Sequence, residues 1–180
     1  ELGKEKIKNL VESRYKKLKN KKRIISSNEI KKIHNFFKLP ISKKKNSIKP
    51  KINDLEFHRW LSQNVVKHKV SGYSVVFISL KPPGKPPGDI SAYQMKELSM
   101  LSKEFSHGEI RVTHEQNILL PHVTNEKVYS LWKKLKKLGL STPNIGLISD
   151  TICCPGMDYC ALATARSIPI SQKISNFFNS

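Results

Sequence analysis

Residues 73–80, YSVVFISL, are the stretch that decides the fold. Five of these eight residues are β-branched or aromatic, which is typical of a strand. The segment that follows, residues 81–88 (KPPGKPPG), cannot continue regular structure, because four prolines and two glycines interrupt it. The strand therefore ends near Leu80, and a new element begins beyond the loop.

The elements downstream of the loop follow from apolar periodicity. A helix is predicted over residues 91–105, capped by Asp89 or Ser91. Two short strands are predicted over residues 109–113 and 117–123, joined by a tight connection. The inner face of the helix is assigned to Met95, Leu98, Leu101 and Phe105.

A second helix is predicted over residues 124–138, with Thr124 as its cap and Gly139 just past its end. The order is then β-α-β-β-α, which is one half of a ferredoxin-like α+β sandwich. Strands this short cannot form a full sheet alone, so a second copy or a partner segment is implied. The inward positions of this helix are Val128, Leu131, Trp132, Leu135 and Leu138.

The region before the strand is basic and helical. Helices are predicted over residues 4–22, from a cap at residues 26–29 to about Phe37, and over residues 54–63. Residues 39–53, LPISKKKNSIKPKIN, have no period and are interpreted as a linker. The predicted domains are a basic helical connector (1–66), the ferredoxin-like half domain (67–139), and the beginning of a further domain (140–180).

The net charge of +19 is unevenly placed. Residues 1–70 carry 21 Lys and Arg against 6 Asp and Glu, whereas residues 71–180 carry 12 against 8. Only 5 of the 33 basic residues are Arg, and nucleic-acid readers usually depend on Arg. We interpret the lysines mainly as solvated helix faces, with docking of an acidic partner as the functional use. No apolar run is long enough to span a membrane and no signal-peptide pattern opens the chain, so a cytoplasmic protein without a membrane is expected.

All three cysteines fall within residues 153–160, CCPGMDYC. Thiolates gathered on one loop indicate a soft-metal site. A Cys154–Cys160 disulfide is sterically feasible, and buried free thiols are the simplest alternative. Two usable thiolates are too few for a self-contained zinc or iron–sulfur centre, which needs four ligands.

Three segments together resemble the C-terminal half of the nitrite/sulfite reductase hemoprotein family. They are PPGDI (86–90), GEIRVTHEQN (108–117) and residues 150–166, which contain the cysteine loop. The similarity covers about 100 residues in order and spacing. The resemblance implies a helical lead-in, the ferredoxin-like half domain, and in residues 140–180 the N-terminal part of a siroheme and 4Fe–4S domain.

The resemblance implies two cofactors, siroheme and a 4Fe–4S cluster. The family's first pair of cluster ligands has the spacing C-x5-C, which Cys154 and Cys160 match. Cys153 does not match this spacing and is excluded as a ligand. A helix beginning near Asp158 would direct its positive end at the cluster. Siroheme carries carboxylates, and the matching R-[VIL]-T-x-x-Q motif marks four residues as its candidate donors: Arg111, Thr113, Gln116 and Asn117.

The implied activity is six-electron reduction of sulfite to sulfide or of nitrite to ammonia, with a ferredoxin, flavodoxin or flavoprotein as electron donor. The family's second cysteine pair, C-x3-C, does not occur before Ser180. We therefore expect a fragment that is inactive alone. The alternative is a basic nucleic-acid-binding module; a zinc-stabilised module using His107, His114 or His122 ranks last.

Overall fold

The computed structural model describes residues 2–19, 25–38 and 53–178. The chain divides into two compact units, Glu1–Pro40 and Ile41–Ser180. Apart from its last residue, the predicted linker at 39–53 lies outside the described residues.

The first unit contains helices α1 (Lys4–Lys19) and α2 (Ser27–Phe36). Ser26 caps α2 by accepting a hydrogen bond from the Glu29 amide, and the Glu29 side chain accepts one from the Ser26 amide, which completes a capping box. Both predicted helices are confirmed within the described residues. The apolar side chains that recur at helical spacing along α1 are 46–63% exposed: Ile7, Leu10, Val11, Tyr15 and Leu18.

The second unit is built on a four-stranded antiparallel sheet in the order β1-β2-β4-β3. The central strands are β2 (Tyr73–Ile78) and β4 (Ile118–Thr124). The edge strands are β1 (Val65–Lys67) and β3 (Arg111–Val112). Strand β1 was not predicted, because three residues are too few to establish a period of two. The α+β class and the predicted β-α-β-β-α order are confirmed.

Four helices accompany the sheet: α3 (Leu55–Asn64), α4 (Ala92–Phe105), α5 (Val128–Lys137) and α6 (Ile168–Phe178). Aromatic contacts join α3 to α5, since the Phe57 ring lies 4.9 Å from Tyr129 and 5.4 Å from Trp132 between ring centroids. The sheet and the first three of these helices share one core, whose fully buried side chains include Phe57, Trp60, Val76, Ile78, Leu120, Val123, Val128, Leu131 and Leu135.

Two details of the helices differ from the sequence prediction. Met95 is 58% exposed and is not part of the core. Thr124 makes no side-chain capping bond, because the chain first forms a 3-10 turn at Asn125–Lys127. The predicted end of α5 is confirmed: Gly139 has φ +68, and the Leu140 amide donates to Leu135 O at 2.9 Å in a Schellman motif.

Among the helices of the described ranges, none combines the length and the apolar character that crossing a membrane requires.

Candidate metal and cofactor site

The turn between β3 and β4, residues 113–117, carries three of the four predicted siroheme donors. The Thr113 amide donates to Asn117 O at 2.9 Å, and the Asn117 amide donates to Thr113 Oγ1 at 3.2 Å. Gln116 lies inside the closed turn with φ +58, a left-handed conformation that costs free energy for a residue with a Cβ. The turn therefore brings Thr113, Gln116 and Asn117 together, with Arg111 at its edge on β3.

The cysteine loop presents its three thiols differently. Cys153 is only 6% exposed, Cys154 is exposed and Cys160 is half-buried, and all three are free. The two predicted ligands are therefore the more accessible pair. Their role as ligands stays a prediction.

The helix predicted to begin near Asp158 does not form there, so the expected helix N-terminus beside the cysteines is wrong. Gly156–Asp158 is a single 3-10 turn, and α6 begins ten residues later at Ile168. The chain instead folds back on itself: the Met157 amide donates to Ala165 O at 3.0 Å. Gly156 permits this approach, since a Cβ there would lie 2.5 Å from Ala165 O.

The turn and the cysteine loop are in direct contact. Gln116 Nε2 donates to Cys153 O at 2.8 Å, and the Cys153 amide donates to Gln116 Oε1 at 3.0 Å. A cavity of about 540 Å³ lies beside this pair, and its lining includes Thr113, Asn117 and Tyr159 as well. Met95 also lines the cavity, which accounts for its exposure outside the core.

A buried ion pair fixes the base of the cysteine loop. Lys81 Nζ lies 2.7 Å from Asp150 Oδ1, and the two side chains are 2% and 7% exposed. Asn117 Nδ2 donates to the same Asp150 oxygen at 2.9 Å, and the Gly146 amide donates to the other at 2.9 Å. Asp150 thus ties the loop to the end of β2 and the start of β4.

Arg111 belongs to a separate chain of hydrogen bonds. Its guanidinium donates to Glu109 Oε1 at 2.6 Å, and Glu109 Oε2 accepts from His122 Nε2 at 3.0 Å. His68 Nδ1 accepts from the Val70 amide, so His68 carries its proton on Nε2, which faces His122 Nδ1 at 3.3 Å. Arg111 is therefore already paired with a carboxylate of its own chain.

Burial and neighbouring charges shift the pKa values of two groups in this hydrogen-bonded series, His122 and Glu109. Burial lowers the pKa of His122 and outweighs the opposing effect of the Glu109 carboxylate. Burial alone would raise the pKa of Glu109, but its hydrogen bond and charge contact with Arg111, together with His122, lower it. Both shifts favour a neutral imidazole beside an ionised carboxylate.

The residues fit only part of the implied cofactor set. In the described ranges, no three His, Cys, Asp or Glu side chains come together as a metal site. Cys154 and Cys160 suit two of the four thiolate positions of a 4Fe–4S cluster, and the described residues do not complete it. Two of the three histidines considered for the zinc alternative, His114 and His122, instead pair with Glu115 and Glu109. The side-chain amides of Gln116 and Asn117 already donate hydrogen bonds to Cys153 and Asp150.

The sequence analysis does not identify Lys81 as part of this site, nor Asn144, whose Nδ2 donates to Lys81 O and Ser149 O. No signal in a single sequence joins Lys81 to a carboxylate 69 residues away. The position of Lys81 directly after an apolar strand was the only available indication that it becomes buried.

Comparison with known proteins finds similarity to nitrite/sulfite reductases. Residues 69–138 match the nitrite/sulfite reductase ferredoxin-like half domain. The chain is 32% identical over 130 residues to the chloroplastic ferredoxin–nitrite reductase of Zea mays, covering 67% of this chain and 22% of that protein. It is 37% identical over 78 residues to the corresponding enzyme of Oryza sativa subsp. japonica, covering 43% and 13%. The ferredoxin–nitrite reductase of Synechococcus elongatus is 29% identical over 93 residues, covering 49% and 18%.

The chain thus spans only 13–22% of the length of these relatives. The matched region contains strands β2, β3 and β4, helices α4 and α5, and the turn that contacts the cysteine loop. Residues 69–138 therefore carry the ferredoxin-like half domain of the nitrite/sulfite reductase family.

Proposed function

We propose that this chain serves in a ferredoxin-dependent reductase that reduces nitrite to ammonia in a six-electron reaction. The observation that carries the proposal is the cysteine loop held against the half domain by the pairing of Gln116 with Cys153. Nitrite is favoured over sulfite because the relatives described above are ferredoxin–nitrite reductases. Sulfite is the second candidate substrate.

Cys154 and Cys160 are the proposed cluster ligands, since they are the two accessible thiols of the loop. When bound, the siroheme would supply the anion-binding site, and the 4Fe–4S cluster would pass on the electrons that the donor delivers. Arg111 and Thr113 are the proposed donors to siroheme carboxylates, and Arg111 retains N–H groups beyond those that Glu109 uses. Gln116 and Asn117 contribute indirectly, because their side chains hold the cysteine loop in place.

Docking of the electron donor is proposed for the basic N-terminal region. Helix α1 carries seven basic residues and two acidic ones, and none of its residues is buried. A surface of this sign attracts an acidic protein and accelerates its association. The same charge supports the alternative of nucleic-acid binding, so the two must be separated by experiment.

The ligand assignment is tested with Cd²⁺, whose binding to thiolates produces an ultraviolet charge-transfer band. The full chain should show this band, and Cys154→Ser or Cys160→Ser should remove most of it. Cys153→Ser is the matched control and should retain it, because Cys153 is buried and its thiol donates to Cys154 O at 3.2 Å. Loss of the band in the control and not in the other two would contradict the assignment.

Reconstitution with iron and sulfide tests the number of ligands. The 180 residues contain three cysteines, so we expect no stable 4Fe–4S spectrum without thiolates from elsewhere. A stoichiometric cluster in this chain alone would refute that expectation.

Donor binding is tested by calorimetry with a plant-type ferredoxin and, separately, with duplex DNA. We expect ferredoxin to bind with an affinity that falls as salt rises, and replacement of the α1 lysines by Gln to weaken it. Tight, steeply salt-dependent binding of DNA with no binding of ferredoxin would favour the nucleic-acid alternative.

A further inference from the structure

The Gln116 side chain acts as a surrogate strand partner for Cys153. Its amide both donates to and accepts from the Cys153 backbone, at 2.8 and 3.0 Å. This satisfies both polar groups of a residue that is buried outside any strand or helix. A side-chain amide carries a donor and an acceptor side by side and stays neutral at every ordinary pH, which is why Gln fits here.

The backbone of Gln116 is held in an unfavourable conformation to make this pair. Its φ of +58 lies in the left-handed region, which persists only where the surroundings impose it. The PPGD loop supplies part of that constraint: a Cβ on Gly88 would lie 3.4 Å from the Gln116 Cβ, so the loop backbone passes close behind the side chain. The Gly88 amide donates to Leu80 O at 2.9 Å, which fixes that loop to the end of β2.

A second anchor lies three residues before Cys153. Asn117 donates to the Asp150 carboxylate at 2.9 Å and accepts from the Leu80 amide at 3.2 Å. Gln116 and Asn117, consecutive residues of one turn, therefore bind the cysteine segment at two points, Cys153 and Asp150. Two anchors fix both the position and the direction of the chain as it enters the loop.

The far side of the loop is closed by its own contacts. The Met157 amide donates to Ala165 O, and Arg166 donates to Asp158 Oδ1 at 2.6 Å. The loop that carries Cys154 and Cys160 is thus anchored at its start and closed at its end by hydrogen bonds within the protein.

We propose that Gln116 is a positioning residue that holds the cysteine loop in its ligand-presenting conformation before any metal binds. Metal-binding loops commonly gain their order from the metal itself. Here the order comes from the β3–β4 turn, and the metal would meet a loop already formed. The proposal deepens the proposed function, because it concerns the same loop, but the experiment below measures loop order and not reduction.

The test uses the metal-free full chain. Gln116→Met keeps the length of the side chain and removes both hydrogen bonds, whereas Gln116→Glu keeps an acceptor for the Cys153 amide and loses the donor to Cys153 O. Hydrogen exchange at the Cys153 amide and the iodoacetamide rate of each cysteine, resolved by mass spectrometry at one pH, are the readouts. We expect both Cys153 rates to rise about tenfold or more in Gln116→Met, which corresponds to about 1.4 kcal/mol of local opening. Gln116→Glu should give an intermediate increase.

The matched control is His114→Met, on the same turn but 88% exposed in its side chain. It should leave the Cys153 rates unchanged. Hydrogen exchange at the Val76 amide, which lies in the core, should be unchanged in every variant. The Cys154 alkylation rate should change little, because that thiol is already exposed. Cys153 rates within twofold of the wild type in both Gln116 variants would overturn the proposal. Equal loss of protection at Val76 would also overturn it, since Gln116 would then contribute only to overall stability.

Discussion

Replacing Lys81 by Met tests whether the buried ion pair stabilises the cysteine loop and the sheet together. Lys81 Nζ lies 2.7 Å from Asp150 Oδ1 and also donates to Asp150 O at 3.1 Å and to Glu115 O. Met has nearly the same length and volume, so the substitution removes the charge and the three hydrogen bonds without leaving a large cavity.

The cost follows from what remains buried. Breaking a buried ion pair by removing one partner typically costs about 3–5 kcal/mol, because the other charge is left without compensation. Asp150 would keep the hydrogen bonds from Asn117 and Gly146, so the lower end of that range applies, about 3 kcal/mol. With a urea m-value of about 2 kcal/mol/M, the unfolding midpoint should fall by about 1.5 M.

Urea unfolding followed by tryptophan fluorescence is the assay, since Trp60 and Trp132 are both buried in the core of the second unit. The matched control is Lys134→Met. Lys134 Nζ also lies 2.7 Å from its carboxylate partner, Glu104, but these side chains are 44% and 49% exposed. An exposed pair contributes only about 0.2–1 kcal/mol. Equal midpoints for the two variants would refute the reasoning, because burial is the feature that distinguishes the pairs.

Three further predictions concern the loop, the buried histidine and the core. Gly156→Ala should cost about 2 kcal/mol or more locally, because φ is +60 and the new Cβ would meet Ala165 O at 2.5 Å; faster exchange of the neighbouring Met157 amide would report it. Lowering the pH from 7 to 5 should reduce the free energy of unfolding, measured in urea, because His122 has a lowered pKa and the unfolded state takes up its proton first. Leu131→Ala, at a fully buried position of α5, should cost about 2–5 kcal/mol in the same urea assay.

The pH effect has a definite sign and window. The stability that a neutral buried His122 contributes is present above its unfolded pKa of 6.5 and is lost as the pH falls below it toward the lower folded value. Its neighbours are His68, Glu109 and Arg111. The Glu109 pKa is also lowered, so its contribution is lost only below about pH 4.5. His122→Gln should flatten the profile between pH 7 and 5.

Each of these predictions has a contradicting outcome. Unchanged exchange at Met157 in Gly156→Ala would show that the loop tolerates a Cβ. A pH profile as steep in His122→Gln as in the wild type would assign the dependence to other groups. A loss below 1 kcal/mol in Leu131→Ala would mean that the core collapses around the missing side chain.

Much of the fold was predictable because its elements are locally specified. The β2 strand consists mainly of β-branched and aromatic residues, which favour a strand. The sequence of α5 shows both its apolar face and the Gly139 that terminates it. The short β1 strand and the exposure of Met95 were not predictable. A three-residue strand exists only because β2 offers it hydrogen bonds, and Met95 faces a cavity that forms only when the loops meet.

The candidate site divides in the same way. Resemblance selected the residues of the 113–117 turn and the cysteine loop, and the structure does place these two segments in contact. Their roles as cofactor ligands stay predictions. The expected helix at Asp158 was wrong, because residues 161–165, which favour a helix in isolation, are instead constrained by the return of the chain to Met157.

By itself the sequence determined most elements of the half domain and its resemblance to a family, since strand composition, caps and cysteine spacing are local properties of the chain. Only the tertiary structure decided what those residues contact. Lys81 and Asp150 are 69 positions apart, and Gln116 and Cys153 are 37 positions apart. These pairs form because the antiparallel sheet brings the end of β2 and the β3–β4 turn to the place where the cysteine loop returns, and no local pattern records that meeting.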